Sequence, residues 1–439
     1  MPWVLITQGN GSVVNNDLLG FGTGGVSDDG NKVVFSSWSS HGFGLATRNC
    51  SFDWIYVRDV NRAALSVAVR EFNGKVYCGY ESSPSLSGDG RYVIFRGQAL
   101  PYSHSTLERS GIWRAPVGGS YVPVSAKGVE LSWEYDGSLK VGELLRGSRG
   151  NALADTDGNS VVFTMSSIEN STDVTKQYAS TLFTHPMLRT DQGAKPAGNQ
   201  DYALTHSDTG SNYNSFDVSG NGGIVVYSEV IAGVRRYKAW DMLARIDAGD
   251  PFAAEREQQP KVSPLVCGMS SDGRYLLVGH NYAVPLDPQR PASLGFKKLS
   301  YQLSRYDRQS KTFEYVGVSE EESRSRDANC DAFLNGGLSR QMSKDGNRVA
   351  WRSSGFIFVR DIATQQTLKL RLPSTIHSWT ISGNGEYIVF TSGVAPDGTT
   401  YKNQYGSNMT QIYRYGPITR NDFGAQFTLP AFEAKLLGN

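Results

Sequence analysis

The sequence has little of several features that mark common protein classes. It contains 4 cysteines and 6 histidines among 439 residues, and it lacks the Cys-x-x-Cys pairs of a structural zinc site. No apolar stretch approaches the ~18 residues of a membrane span. The 43 basic and 42 acidic residues give a formal net charge of +1, which argues against a nucleic-acid or membrane-surface partner.

Two further absences bear on activity and location. A Gly-x-Ser-x-Gly motif, which serine hydrolases of the α/β class need, does not occur. The start, Met1-Pro2-Trp3-Val4, lacks the basic and long apolar regions of a secretory signal. We therefore expect a protein that acts where it is made, or one whose leader has been removed, with no catalytic residue, cofactor or metal ion identified.

What the chain does have is a short phrase repeated seven times. It reads Val26-Ser27-Asp28-Asp29-Gly30 in the first copy and Ala154-Asp155-Thr156-Asp157-Gly158 in the third. Asp-Gly and Asn-Gly tolerate positive φ at two-residue hairpin turns, and an alternating apolar strand follows each phrase. Each copy is therefore predicted to turn the chain between two antiparallel strands. The seven glycines are Gly30, Gly90, Gly158, Gly222, Gly273, Gly346 and Gly385.

Two more strand patterns follow several copies, such as 54–60 and 64–69 after the first. Four short antiparallel strands per repeat are typical of a β-propeller blade. We predict an all-β chain with one domain over residues 1–439: a seven-bladed propeller closed by the N-terminal strand, with a C-terminal tail at about 418–439. The segment 427–432 competes with the N-terminal strand for the closing position.

The repeat resembles the TolB-like propeller repeat of bacterial and phage proteins. The resemblance lies in the Ser-x-Asp-Gly turn, the strand that ends in Phe, and a strand like Ile55-Tyr56-Val57-Arg58-Asp59. It covers nearly the whole chain and is closest in residues 26–60 and 342–362. It implies a propeller fold and transfers no catalytic residue, because the motif is structural in every blade.

Three histidines are the candidate metal ligands. His41, His104 and His280 follow their repeat glycines at similar distances and are predicted to lie on one rim of the disc. A rim cluster of this kind holds a divalent metal in some propeller lyases that act on uronic-acid sugars. The competing interpretation, which we favour, is three unrelated exposed loop residues, since a metal needs three or four ligands at bonding distance.

The third repeat also imitates the start of a calcium loop. Asp155 and Asp157 are spaced like calcium ligands, but Ser166 stands where a calcium loop needs Glu. The phrase also coincides with a repeat turn. The turn interpretation is therefore preferred.

Other segments give weaker expectations. Residues 240–258 are predicted to hold the one notable helix. Cys50, Cys78, Cys267 and Cys330 are expected to be buried free thiols, with a Cys50–Cys78 disulfide as the alternative. Aromatic residues in predicted loops, either for a partner or sugar or for packing between blades, are Trp38, Phe43, Phe52 and Tyr102.

These observations favour a non-enzymatic scaffold that presents rim loops to other proteins. The specific hypothesis is a structural component of a larger assembly, such as a phage virion or tail, with cell-surface glycan as a further candidate partner. The alternatives are a metal-dependent polysaccharide lyase or lectin, and a periplasmic TolB-like scaffold.

Overall fold

The computed structural model describes the strands and tight turns of the chain. The described residues are 3–8, 18–20, 25–37, 54–68, 71–72, 75–76, 84–98, 110–119, 122–123, 152–167, 179–186, 202–207, 216–231, 234–241, 246–249, 251–252, 264–280, 302–317, 340–353, 356–371, 376–402, 406 and 408–424. Within them the structure is mostly β, with one short helix, α1 (Arg420–Gly424). They contain no helix long and apolar enough to cross a membrane.

The strands are short and follow one another along the whole chain. In order they are β1 (Trp3–Leu5), β2 (Leu18–Gly20), β3 (Lys32–Ser37), β4 (Trp54–Asp59), β5 (Ala64–Val67), β6 (Glu71–Phe72), β7 (Lys75–Val76), β8 (Ser85–Leu86), β9 (Tyr92–Gln98), β10 (Ser110–Pro116), β11 (Val122–Pro123), β12 (Ala152–Ala154), β13 (Ser160–Ser167), β14 (Ala179–Pro186), β15 (Tyr202–Ser207), β16 (Phe216–Val218), β17 (Ile224–Ile231), β18 (Val234–Asp241), β19 (Ile246–Gly249), β20 (Pro264–Met269), β21 (Tyr275–His280), β22 (Gln302–Asp307), β23 (Thr312–Tyr315), β24 (Arg348–Ser353), β25 (Phe356–Asp361), β26 (Gln366–Arg371), β27 (Ile376–Ile381), β28 (Ile388–Ser392) and β29 (Gln411–Tyr415).

These strands pair into antiparallel sheets that each contain one copy of the repeat. The sheet orders are β2-β3-β4-β5, β11-β10-β9-β8, β12-β13-β14-β15, β16-β17-β18-β19, β20-β21-β22-β23, β24-β25-β26 and β1-β29-β28-β27, with β6-β7 as a separate hairpin. In the sixth repeat a bridge between Met342 and Val349 adds an inner edge to the three-stranded sheet. The predicted strand-rich repeat with four-stranded units is therefore present.

The two ends of the chain share one sheet. Strand β1 pairs antiparallel with β29, with Trp3 opposite Tyr415 and Leu5 opposite Tyr413. The backbone N–H of Ile6 continues the ladder to the carbonyl of Ile412 at 2.9 Å. The predicted pairing of the N-terminal segment with the last repeat is thus observed, whereas the competing segment 427–432 lies outside the described residues.

The repeat turns differ in detail from the predicted two-residue hairpin. In the first copy Ser27 and Lys32 are the paired residues, so four residues separate the strands. The Ser27 hydroxyl accepts the Lys32 N–H at 2.9 Å and donates to the Asp29 carboxylate at 2.5 Å. The predicted positive φ is present at the closing glycine, +72° at Gly30. The wider turn is favoured because the serine side chain replaces part of the strand ladder.

The alternation of the strands places the connections at two opposite ends of the sheets. One end, here called the turn face, carries the seven repeat turns, and the opposite end is called the loop face. Connections from second to third strands lie on the loop face, because antiparallel strands reverse direction at each connection. Five of these connections are long, at 38–53, 99–109, 168–178, 281–301 and 393–410, and two are short, at 232–233 and 354–355.

Apolar side chains from neighbouring sheets bury one another and form the core. One cluster joins the fourth, fifth and sixth repeats through Val225, Leu277 and Trp351, and another joins the seventh to the first through Val389 and Phe35. Burial of this apolar surface is the main stabilising contribution, at roughly 25 cal/mol per Å². The packing of sheet against sheet therefore holds the repeats together.

Two local expectations were wrong. In the predicted helix 240–258 the described residues are strand at 240–241 and 246–249 and turn at 251–252, since Trp240 belongs to β18 and Ile246 begins β19. The rest of that segment lies outside the described residues. Strand pairing to β17 overrides the local helical preference. Cys267 is disulfide-bonded and buried, not a free thiol. The other three cysteines lie outside the described residues.

Candidate functional site

The third residue of each repeat turn belongs to a cyclic set of backbone contacts, here called the turn ring. Its members are Asp28, Gly88, Thr156, Gly220, Ser271, Lys344 and Gly383. Each turn is hydrogen-bonded to the next, and the seventh is hydrogen-bonded to the first. The links are Asp28 N to Gly88 O (2.7 Å), Asp89 N to Thr156 O (2.7 Å), Thr156 N to Gly220 O (2.8 Å), Asn221 N to Ser271 O (3.1 Å), Ser271 N to Lys344 O (2.5 Å), Lys344 N to Gly383 O (2.7 Å) and Asn384 N to Asp28 O (2.6 Å).

A second cyclic contact runs through the closing glycines. The side chain two residues after each glycine lies against the glycine of the next repeat: a Cβ on Gly158 would stand 2.8 Å from Tyr92, and one on Gly346 would stand 2.7 Å from Tyr275. The remaining pairs are Lys32 with Gly90, Ser160 with Gly222, Ile224 with Gly273, Arg348 with Gly385 and Tyr387 with Gly30. Each glycine is thus needed for its positive φ and for close approach.

Cationic side chains reinforce this contact. Among the described residues, five of the glycine carbonyls accept a hydrogen bond from the preceding repeat. The donors are Lys32 to Gly90 (3.0 Å), Arg114 to Gly158 (2.6 Å), Arg305 to Gly346 (2.9 Å), Arg348 to Gly385 (3.1 Å) and Arg414 to Gly30 (2.8 Å). Three of these arginines also stack on a tyrosine of their own repeat, as Arg114 does over Tyr92 at 4.1 Å.

The carboxylate of Asp28 lies at the middle of the turn ring. It pairs with Arg340 at 2.8 Å, and the Thr156 hydroxyl donates to it at 3.4 Å. A Cβ on Gly88 or on Gly383 would overlap this carboxylate. The first repeat thereby contacts the second, third, sixth and seventh repeats through one side chain. Gly88 and Gly383 must therefore lack a side chain, because the Asp28 carboxylate occupies the space that a Cβ would take.

Further charged groups surround this ion pair. Desolvation raises the pKa of Asp217, although Lys344 and Arg340 oppose the shift. Desolvation and the nearby Arg340 lower the pKa of Lys344, whereas Asp28, Asp217 and Asp155 act to raise it. The centre of the turn ring is therefore a cluster of opposite charges that interact with one another. Removal of any one of these groups would leave a buried charge without its partner, which is costly.

The third turn differs chemically from the others. Asp155 stands where the other six turns have serine, and its side chain interacts with that of Asp157. Burial is the main cause that raises the pKa of Asp155 to about 7, and the charge of Asp157 adds to the shift. A carboxyl group at this position is able to hold a proton near neutral pH.

The histidine hypothesis is not tested by the described residues. His280 ends β21, where its backbone pairs with Pro264 and Gln302 at the loop face. His41 and His104 lie outside the described residues, as do Trp38, Phe43, Phe52 and Tyr102. Within the described part of the chain, no group of three or more His, Cys, Asp or Glu side chains is placed to bind a metal. Asp155 and Asp157, whose spacing resembles the start of a calcium loop, belong to a repeat turn, which is the interpretation that the sequence favours.

Sequence reasoning missed the charged residues of the turn ring. The available signal was the variable third position of the repeat, which is charged in Asp28 and Lys344 and glycine in three copies. Arg340 and Asp217 lie before their turns and carry no repeat signal. Their proximity to Asp28 and Lys344 follows only from the placement of the repeats.

No protein-family model matches the sequence, and no curated protein matches it. Solved structures do show similarity. An oligogalacturonate lyase from Vibrio parahaemolyticus is 10% identical, over 96% of this chain and 97% of the other, with a TM-score of 0.53. The β-propeller domain of the Trilobed protease from Pyrococcus furiosus is 12% identical, over 91% and 95%, with a TM-score of 0.48.

TolB from Acinetobacter baumannii is 12% identical, over 88% of this chain and 81% of the other, with a TM-score of 0.38. At such identities a likeness concerns the fold and not the activity. The repeated four-stranded antiparallel sheets give the chain a β-propeller fold, as the resemblance of its repeat to TolB-like propellers implied.

Proposed function

We propose that the chain is a closed seven-bladed β-propeller that acts as a non-enzymatic scaffold for protein–protein contacts. Its proposed setting is a larger assembly, such as a phage virion or tail, in which it is a structural component. Its partners are other proteins of that assembly, and cell-surface glycan is a further candidate. Two features support the proposal: the contacts that join the repeat turns in the turn ring, and the long connections that begin and end at the loop face.

Closure is supported by the cyclic order of the turn ring. The seventh turn donates to the first through Asn384 N and Asp28 O at 2.6 Å, and Arg414 of the seventh repeat donates to Gly30 of the first at 2.8 Å. The same two kinds of contact join successive repeats. A cyclic set of equivalent contacts is expected of a radial arrangement in which no sheet is left with an exposed outer face.

The asymmetry between the two faces carries the functional proposal. The turn face carries the short repeat turns, whose polar groups bond to one another, whereas five second-to-third-strand connections are long and begin and end at the loop face. In the described residues of the connection at 393–410, which are 393–402, 406 and 408–410, Ala395 and Met409 are buried and Lys402 is exposed. Connections of this kind on a rigid framework are common sites of recognition.

Two exposed lysines on opposite faces allow a matched test. Lys402 lies on the loop face, and Lys311 lies in a third-to-fourth-strand turn on the turn face. Particles or complexes purified from the native source would be treated with an amine-reactive crosslinker and digested for mass spectrometry. We expect crosslinks from Lys402 to a partner protein and a weaker assembly of the Lys402→Glu variant, with Lys311→Glu as the control.

Two results would contradict the scaffold role. One is a chain that migrates alone in the native source, without a crosslinked partner at either lysine. The other is an equal effect of both charge reversals on assembly, which would remove the distinction between the faces. Sedimentation with intact particles would in addition support the virion or tail setting, whereas sedimentation only with soluble complexes would redirect it to another assembly.

An enzyme that cleaves oligogalacturonate is the second candidate function. It is favoured by the fold similarity to the Vibrio lyase, which extends over nearly the whole of both chains. His280 also ends a second strand, β21, at the loop face, and His41 and His104 come after second strands in the sequence. Incubation with oligogalacturonate and Mn²⁺, followed by ultraviolet absorbance of the unsaturated product, tests this candidate. Activity that is lost in His280→Ala would replace the scaffold proposal.

A further inference from the structure

The six serine-containing turns share one hydrogen-bond pattern. The serine hydroxyl donates its proton to the Asp or Asn side chain two residues later, and it accepts the backbone N–H five residues later. The donor pairs are Ser27–Asp29 (2.5 Å), Ser87–Asp89 (2.6 Å), Ser219–Asn221 (2.7 Å), Ser270–Asp272 (2.6 Å), Ser343–Asp345 (2.5 Å) and Ser382–Asn384 (2.6 Å). Every one of these turns therefore uses a hydroxyl proton at the same place.

Asp155 takes the place of this serine in the third turn. It keeps the acceptor role, because the Ser160 and Asn159 N–H groups bond to its carboxyl group. It also faces Asp157, whose Oδ1 accepts the Asn159 N–H at 3.2 Å and whose Oδ2 accepts the Asn159 amide at 2.6 Å. An ionised Asp155 would have no proton to donate to Asp157.

The surroundings of Asp155 disfavour its ionised form. The residue is 3% exposed, and its Oδ1 has no hydrogen-bond partner among the described residues. Gly222 of the fourth repeat approaches the other oxygen so closely that a Cβ there would stand 2.7 Å away. A buried carboxylate with an unpaired oxygen and a neighbouring carboxylate is costly, and protonation removes the cost.

The charged groups that face this pair come from two other repeats. Arg114 and Arg91 of the second repeat lie near Asp157, and Arg114 also interacts with Asp155. Lys344 of the sixth repeat interacts with Asp155 from across the turn ring. Arg114 donates one N–H to Gly158 O at 2.6 Å and is thereby held beside the third turn.

We propose that Asp155 and Asp157 share one proton, which replaces the serine hydroxyl proton of the other turns and makes the third turn a pH-sensitive joint of the turn ring. Below neutral pH the shared proton completes the repeat pattern. Loss of the proton places two adjacent carboxylates beside the link from Thr156 to Gly220. The joint then weakens between the third and fourth repeats, independently of whether the chain has a partner.

The sign of the effect follows from proton linkage. The pKa of Asp155 is raised in the folded chain to about 7, so the folded state retains the proton at pH values where the unfolded state has lost it. The stabilisation by this proton is full below the unfolded pKa and declines from about pH 4 to about pH 7, above which it is gone. Turns that contain serine have no such dependence.

Thermal unfolding of the full chain tests the proposal. The variants are Asp155→Ser, which restores the pattern of the other turns, and Asp155→Asn, which supplies an uncharged amide donor. We expect the melting temperature of each variant minus that of the wild type to increase as the pH rises from about 4 to about 7, and then to level off. Asp217→Asn shows how much of the wild-type pH dependence comes from the other buried carboxyl group of the turn ring, whose pKa is also raised. Parallel curves for wild type and both Asp155 variants would overturn the proposal.

Two further measurements keep the test decisive if an Asp155 variant fails to fold. Ser87→Asp recreates the carboxyl pair opposite Asp89 in the second turn, and we expect a new loss of melting temperature with rising pH. Ser219→Asp faces Asn221 and has no second carboxylate, so it serves as the matched control. An equal pH response in these two variants would refute a shared proton. Infrared spectra at neutral pH should also show a protonated carboxyl band that is weaker in Asp155→Asn than in the wild type.

Discussion

Arg340 and Asp28 form an ion pair of 2.8 Å that joins the sixth repeat to the first and passes the seventh. The contact is possible because the intervening turn has glycine at its third position, Gly383, whose missing side chain leaves room for the Asp28 carboxylate. Both charged side chains are largely buried, with 14% exposure for Arg340 and 22% for Asp28. The ion pair therefore requires glycine at position 383 of the seventh repeat, which contributes no charged group to the pair.

Removal of the carboxylate should therefore destabilise the chain. Asp28→Ala leaves Arg340 partly buried without its partner, and we expect a loss of about 1–3 kcal/mol in the free energy of unfolding. Chemical denaturation measures this loss. Arg62→Ala is the control, because Arg62 is 84% exposed and stands 3.9 Å from Asp59, where an ion pair contributes little. Equal midpoints for the two variants would contradict a stabilising role of Asp28.

The absence of a side chain at Gly383 gives a second prediction. Gly383→Ala places a methyl group on the Asp28 carboxylate, so either the ion pair or the seventh turn must shift. We expect a loss of about 1–3 kcal/mol, typical of overpacking. Gly393→Ala is the matched control, because a Cβ there meets no atom within 4 Å. Similar stability of the two alanine variants in urea would show that the seventh turn does not approach Asp28 closely.

The sequence predicts the repeats well and their chemistry poorly, for a physical reason. Turn glycines and apolar strands recur in every copy, so local preferences and pattern agree, and positive φ at Gly90 follows from the phrase alone. The turn-ring charges depend on contacts between residues hundreds of positions apart, such as Asp28 and Arg340. A single chain offers no local signal for such pairs. The predicted helix near Trp240 failed because pairing with β17 decides that segment.

The closing glycine of the second turn gives a third prediction. Gly90 has φ +68°, and the nearest contacts of a Cβ there are the flexible Lys32 side chain at 3.0 Å and Ser27 at 3.2 Å. Gly90→Val should cost more than the ~1 kcal/mol typical of glycine replacement, because a β-branched residue disfavours positive φ. Differential scanning calorimetry of Gly90→Val against Gly393→Val measures this cost. An unchanged melting temperature for Gly90→Val would refute the turn assignment.

Arg58 gives a fourth prediction, which concerns the N-terminal strand. Its guanidinium donates to the carbonyls of Ile6, Gln8 and Ala63, and so ties the segment after β1 to the first repeat. Lysine has one ammonium group and cannot reproduce this fork of donors. Arg58→Lys should lower the free energy of unfolding by about 1–3 kcal/mol. Hydrogen exchange should show faster exchange at Ile6, whereas Arg62→Lys should change neither quantity.

The acid limit of stability gives the last prediction. Burial acts to raise the pKa of Asp29, Asp89 and Asp345, but the serine hydroxyl, the backbone N–H two residues later and the adjacent side chains outweigh it, so each pKa lies below its usual value. A depressed folded-state pKa contributes stability above the unfolded pKa of about 4, and this stability is lost as the pH falls further.

Asparagine already replaces this aspartate in the fourth and seventh turns, where Asn221 and Asn384 accept the same serine proton. The triple variant Asp29→Asn, Asp89→Asn, Asp345→Asn should therefore keep the turns and lose their titration. At neutral pH the wild type retains its carboxylates, and we expect it to melt at a higher temperature than the variant. Below about pH 4 the melting temperature of the wild type should fall more steeply, so that the two values approach each other. A variant that follows the wild-type acid curve would show that these turns do not set the acid limit, because the titrating groups would then lie elsewhere in the chain.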